Sequence, residues 1–93
     1  MKTIYIARSA NDNTDSIRVT FRRDEARREA RYLFDHLTDR ERRVNTVSVE
    51  AYRVDVSEDD PRSAEQLYND LMADGDDALF GDPAEWEEIR DEN

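Results

Sequence analysis

Three stretches of the chain have the composition or the apolar–polar alternation that is typical of β-strands. Thr3–Ala7 is rich in β-forming residues, and Ile17–Arg22 alternates strictly between apolar and polar residues. The polar segment Arg8–Ser16 between them predicts a loop. The alternation of the third stretch, Val47–Val56, changes phase at residues 51–52. A β-bulge there would return both apolar sets to one core.

A helix is predicted after the second strand, because apolar residues recur there at intervals of three and four. Asp24 can cap its first turn, and the helix should continue to about His36 or Leu37. The apolar stripe consists of Ala26, Ala30, Leu33, Phe34 and Leu37. The polar segment Thr38–Arg43 that follows predicts a connector.

Two further helices are predicted in the last third of the chain. The first starts at Asp60-Pro61, or at Ser63 where a second capping signal begins, and ends at Gly75. Its apolar positions have the clearest helical spacing in the sequence: Ala64, Leu67, Tyr68, Leu71 and Met72. The last helix is predicted from a third start signal, Asp82-Pro83-Ala84-Glu85, followed by apolar residues three positions apart.

The predicted order of elements is therefore β-β-α-β-α-α. A length of 93 residues allows one small domain. The simplest fold with this order is α+β, a small three-stranded sheet covered by helices on one face. Within the single domain 1–93, residues 1–56 would form a mildly basic β-β-α-β core, and residues 57–93 an acidic helical C-terminal part.

Charge is distributed unevenly along the chain. The protein has 24 acidic and 14 basic residues, which give a net charge of −10. Residues 1–54 contain 12 basic and 9 acidic residues, a balance of +3, whereas residues 55–93 contain 2 and 15, a balance of −13. Adaptation to high salt would spread acidic residues over every surface. Their concentration near the end therefore favours a binding surface.

Several classes of function lack the residues they need. The chain has no cysteine, two glycines and one histidine, His36, so it has no disulfide, no cysteine zinc site and no Gly-rich phosphate loop. A catalytic triad would have to use His36, which the pattern places in a helix. The calcium-like segment Asn11–Asp15 lacks the glycine and the glutamate that complete such a loop. We therefore expect no enzymatic activity, no metal and no cofactor.

A membrane location is not expected either. No apolar run approaches the roughly 20 residues that span a bilayer. The apolar start of the chain, Met1–Ile6, is too short for a signal peptide. We expect a cytoplasmic protein.

The acidic part offers a surface for a positively charged partner. Carboxylates three or four residues apart on a helix stand about 5–6 Å from each other, a spacing comparable to that of phosphates along a nucleic-acid strand. A tryptophan beside them can anchor such a contact. The predicted partner-binding residues are Asp74, Asp76, Asp77, Glu85, Trp86, Glu87, Glu88, Asp91 and Glu92. In the alternative interpretation, Trp86 packs on the core with Leu79, Phe80 and Ile89, and the carboxylates are a solvated face.

The acidic run from Asp74 to Glu92, on a short chain without cysteine, resembles small phage or mobile-element inhibitors of host defence. Anti-CRISPR and antirestriction proteins that mimic DNA are of this kind. The resemblance lies in size, charge and organisation rather than in a motif. It implies a non-enzymatic inhibitor that binds a nucleic-acid-handling complex, such as a CRISPR effector or a restriction enzyme, in the cytoplasm of the host cell. Such an inhibitor need not bind nucleic acid itself.

Two alternatives stay open. The chain can be an acidic adaptor or an uncharacterised domain whose charge reflects salt adaptation or base composition. It can also be a nucleic-acid binder that uses the Arg-rich first helix, whose outer face carries Arg27, Arg28 and Arg31. Interleaved acids such as Glu25 and Glu29 dilute the field of that face.

Overall fold

The computed structural model describes residues 1–10, 15–75 and 82–90. Over these residues the chain is an α+β fold with a four-stranded antiparallel sheet and three helices, which confirms the predicted class. The elements are β1 (Lys2–Ala10), β2 (Asp15–Thr20), α1 (Arg23–Asp35), α2 (Asp39–Val44), β3 (Thr46–Val54), α3 (Ala64–Asp74) and β4 (Glu85–Glu88). The strands lie in the order β2-β1-β3-β4, so β2 and β4 form the two edges of the sheet. The prediction of three strands was one too few.

The central strands β1 and β3 pair without interruption. Their antiparallel register runs from Lys2 opposite Val54 to Ala10 opposite Thr46, with no extra residue on either strand. The predicted bulge at residues 51–52 is therefore wrong. The change of phase in β3 has another cause, because both faces of this strand are buried.

Apolar residues of β1 and β3 form two clusters on opposite faces of the sheet. One face packs against α3 and is called the α3 face; its strand residues are Ile4, Ile6, Tyr52 and Val54. The other packs against α1 and is called the α1 face; its strand residues are Ala7, Val47 and Val49. Alternate residues of a strand point to opposite faces, so the two clusters are separated by the sheet. The prediction that helices cover one face is wrong, and the molecule has three layers.

The helix α1 packs against the sheet through two alanines and one phenylalanine. Ala26, Ala30 and Phe34 recur every four residues and pack on the α1 face. The residue at the N-cap is Arg22, whose side chain makes no capping hydrogen bond, and Asp24 lies inside the first turn. Asp24 is thus not the cap that the sequence predicted, although its charge still favours the positive end of the helix dipole.

The helix α3 has the cap and the end that its sequence indicates. The Ser63 hydroxyl accepts a hydrogen bond from the backbone N–H of Gln66, so the second of the two predicted starts is the right one. Leu67 and Leu71 then pack on the α3 face. Gly75 ends the helix with a φ of 68°, the left-handed conformation that glycine adopts without strain.

The short helix α2 occupies the segment that was predicted as a connector. The Thr38 hydroxyl caps it by accepting a hydrogen bond from the Glu41 backbone N–H, and the Glu41 carboxylate accepts one from the Thr38 backbone N–H. This reciprocal pair is a capping box, and its T-x-x-E spacing was visible in the sequence.

None of the helices in the described part of the chain has both the length and the apolar composition that a membrane span requires.

The predicted last helix is wrong, because residues 85–88 form the edge strand β4. The backbone N–H of Ala84 donates to the Ala51 carbonyl at 2.7 Å, and that of Ile89 donates to the Val47 carbonyl at 2.8 Å. These bonds at the two ends of β4 hold it in register along β3. The predicted connector at residues 76–81 lies outside the described residues.

Candidate partner-binding site

Two glutamates of β4 lie against two arginines of α1. Glu85 and Glu87 are two residues apart in the strand and point towards the α1 face, where they form ion pairs with Arg23 and Arg27. Arg27 Nε donates to Glu87 Oε1 at 3.1 Å. The hydrogen bond from Arg23 to Glu85 raises the pKa of the Arg23 guanidinium. These two carboxylates thus have partners within the chain.

The geometry of the two elements explains why the pairs match. Four residues along a helix advance about 6 Å, and two residues along an antiparallel strand advance about 6.8 Å. Arginines at positions i and i+4 of α1 therefore stand opposite glutamates at positions j and j+2 of β4. A third contact continues the row, because Arg31 Nη1 donates to the Arg90 carbonyl at 3.1 Å.

The predicted partner-binding residues are only partly brought together. Glu88 accepts a hydrogen bond from Arg90, and Asp74 is exposed at the last turn of α3. Trp86 is 53% exposed, whereas Ile89 packs with the α1-face cluster. Four of the predicted residues lie outside the described part of the chain: Asp76, Asp77, Asp91 and Glu92.

A groove of about 380 Å³ lies at the opposite edge of the sheet, along β2. We call it the β2 groove. Its floor is the strand segment Ile17–Thr20, and its two walls come from α1 and α3, which pack on opposite faces of the sheet. The wall residues are Glu25 and Glu29 from α1, and Glu65, Tyr68 and Asn69 from α3.

The three glutamates of the β2 groove make no ion pair within the described ranges. Glu25 accepts a hydrogen bond from the Thr20 hydroxyl at 3.2 Å, which turns its carboxylate towards the strand. Glu65 is exposed, and Glu29 is half-buried. The β2 groove therefore brings three carboxylates from two separate helices around one strand edge, where Arg18 is the one cation among the described lining residues, so the negative charge is in excess.

The helix α1 presents two differently charged flanks. Arg23 and Arg27 share the flank over β4, while Glu25 and Glu29 share the flank over β2. Sequence reasoning treated these glutamates as local partners of the neighbouring arginines and did not predict a site for them. Their spacing of four residues was a usable signal, but the distance to Glu65 depends on the tertiary fold.

Two further carboxylates, those of Asp60 and Asp70, form ion pairs with Arg62. Arg62 donates to Asp60 at 2.7 Å and to Asp70 at 3.2 Å, and so ties the segment before α3 to the helix. The hydrogen bonds from Arg62 lower the pKa of Asp60 to about 2. Lys2 Nζ also donates to the Asp60 carbonyl at 2.7 Å. We therefore assign these carboxylates to the stability of the fold.

Metal ligands are not grouped in the part of the chain that the structure describes, where no three side chains of His, Cys, Asp or Glu are arranged to hold an ion. Comparison of the chain with protein-family models, curated proteins and solved structures finds no match.

Proposed function

We propose that the protein is a non-enzymatic inhibitor that binds a nucleic-acid-handling host-defence complex through an acidic surface. The observation that supports this function is the convergence on the β2 groove of Glu25, Glu29 and Glu65, which form no ion pair with any residue of the described ranges. A cleft that binds nucleic acid is lined with basic side chains, so it attracts such a surface and loses its phosphate contacts when the surface occupies it.

The contact surface in this proposal differs from the one that the sequence indicated. Glu85 and Glu87 already neutralise arginines of α1, so a partner would have to break those pairs before it could use them. The carboxylates of the β2 groove can meet a basic partner without breaking an ion pair to any of the residues that the structure describes. The exposed acids Asp74 and Asp82 can add to long-range attraction.

Nucleic-acid binding through α1 is less well supported by the same contacts. Arg23 and Arg27 are held by β4, and Arg31 donates to the Arg90 carbonyl and forms an ion pair with Asp35. Phosphates would have to compete with carboxylates that the fold holds in place. A net charge of −10 adds a general repulsion.

The test compares capture of host proteins by three forms of the full chain. The groove variant carries Glu25→Gln, Glu29→Gln and Glu65→Gln. The control variant carries Asp55→Asn, Glu58→Gln and Asp59→Asn, which change the net charge equally but lie outside the β2 groove. Capture is measured at about 0.1 M and about 1 M salt, where charges are screened over about 10 Å and 3 Å.

We expect the parent and the control to retain the same nucleic-acid-handling complex at low salt and to release it at high salt. The captured complex should bind its nucleic acid more weakly in the presence of the parent protein. The groove variant should capture much less of it. Equal capture by the groove variant and the control, or capture that leaves nucleic-acid binding unchanged, would refute the proposal.

A further inference from the structure

The floor of the β2 groove is the outer edge of β2. One edge of this strand pairs with β1 through the register Tyr5–Thr20 to Ala10–Asp15. Among the described strands, none pairs with the other edge, because β2 comes first in the sheet order. A strand edge of this kind presents backbone N–H and C=O groups that can pair with a further strand.

One side-chain contact identifies which backbone groups face the β2 groove. Arg18 Nη1 donates to the Ile17 carbonyl at 3.0 Å, and this contact is exposed. The Ile17 carbonyl therefore points outwards, and Val19, two residues further on, presents its backbone groups on the same side. The side chains of Ile17 and Val19 pack against the α3-face core, which holds the strand in place.

The walls of the β2 groove determine which side chains of an added strand would fit it. Side chains of an added strand alternate between the two faces of the sheet. Those on one face would meet Glu25 and Glu29 of α1, and those on the other would meet Glu65 and Tyr68 of α3. Lysine or arginine side chains complement both walls.

A second copy of this chain does not fit the same edge. Pairing of two β2 strands would place three glutamates of one copy beside three of the other. Each copy also carries a net charge of −10, so the approach is repulsive at any distance within the screening length.

We propose that the outer edge of β2 binds an extended basic segment of a partner protein by strand addition, with Arg18 displaced from the Ile17 carbonyl. Backbone hydrogen bonds at residues 17 and 19 would give the register, and the wall glutamates would select basic side chains. This inference rests on the proposed function, because it names how the β2 groove contacts the inhibited complex.

The probe is an eight-residue peptide in which pairs of lysines alternate with pairs of valines, so that an added strand carries lysines on both faces; it is capped at both ends and added to the full chain. We expect it to slow amide hydrogen exchange of Ile17 and Val19 and to shift their NMR signals. The groove variant described above should bind about tenfold more weakly, since it loses three exposed charge contacts. The control variant should bind with the parent affinity.

A peptide with the same lysines and with proline in place of each valine, of equal length and charge, separates strand addition from charge attraction. Proline removes backbone donors and favours an extended helix over a strand, so we expect this peptide to bind at least tenfold more weakly. Equal binding of the two peptides, or no binding of the lysine–valine peptide, would overturn strand addition. Protection of Ile17 and Val19 in a dimer without peptide would assign the edge to a second copy and would also overturn it.

The failure of strand addition and the failure of the proposed function can be distinguished by these experiments. If strand addition fails while the groove variant still loses the host complex, the acidic inhibitor stands and contacts its partner by side chains alone. If the groove variant captures the host complex as the parent does, the proposed function fails whatever the peptides do.

Discussion

The two apolar clusters should behave as independent cores, because the sheet lies between them. Val49 belongs to the α1 face, and Ile4 and Val54 belong to the α3 face. Ile4 lies opposite Tyr52 in the register, so Val49 is three residues away along β3, about 10 Å at 3.4 Å per residue. Val54 lies on the same face as Ile4, in the diagonal position that side chains reach across a sheet.

The expected magnitudes follow from burial. Ile4 is 0% exposed, and Ile4→Val should cost about 0.5–1.5 kcal/mol. Val49→Ala and Val54→Ala each remove the equivalent of two methylene groups, about 1.6 kcal/mol before any cavity is counted. A chain of 93 residues has a total stability of about 5–14 kcal/mol, so both double variants should still fold.

The assay is urea unfolding followed by circular dichroism for the three single and the two double variants. The effects of Ile4→Val and Val49→Ala should add within about 0.5 kcal/mol, since the sites share no partner. Ile4→Val and Val54→Ala should depart from additivity by about 0.5 kcal/mol or more. A coupling for the first pair that equals the coupling for the second would refute the separation into two faces.

The remaining predictions concern the charge pairs and one helix end. Replacing Glu85 and Glu87 by glutamine removes the pairs to α1, so the amide protons of β4 should exchange faster in NMR while those of β1 stay unchanged. The pKa of Asp60 is lowered from 3.8 to about 2, so its contribution to stability is present above pH 3.8 and is lost as pH falls towards 2. Acid unfolding of Asp60→Asn, followed by circular dichroism, should therefore show a smaller loss over that interval, and an equal loss would contradict the role of Arg62. Gly75→Ala should cost about 1–2 kcal/mol in urea unfolding, because alanine is strained at a φ of 68° although its Cβ would meet no atom.

The elements that could be predicted are those whose signal is local. The periodicity of α3 and the glycine at its end lie within a dozen residues, and both correspond to the structure. The phase change in β3 was also a real signal, but it has two physical explanations. A bulge would direct both apolar sets of β3 to one core, whereas an unbroken strand places one set on each face of the sheet. Only the position of α3 on the second face decides between the two.

The failure at β4 has a non-local cause. Asp82-Pro83-Ala84-Glu85 has the composition of a helix start, and the apolar residues Trp86 and Ile89 have helical spacing. The outer edge of β3 offers these residues backbone hydrogen bonds, and α1 offers arginines at the matching distance. Tertiary contacts of this kind override a weak propensity, and no window of the sequence contains both partners.

The same contacts change what the charge pattern of the chain means. Along the sequence, a segment with a net charge of +3 is followed by one with a net charge of −13, which predicts a basic part and an acidic binding part. In space, β4 lies against α1, so two carboxylates of the acidic part neutralise two arginines of the basic part. Two of the three β2-groove glutamates, Glu25 and Glu29, instead come from the basic part. Net charge per segment therefore indicated that a charged surface exists, but the pairing within the fold decides which carboxylates a partner can reach.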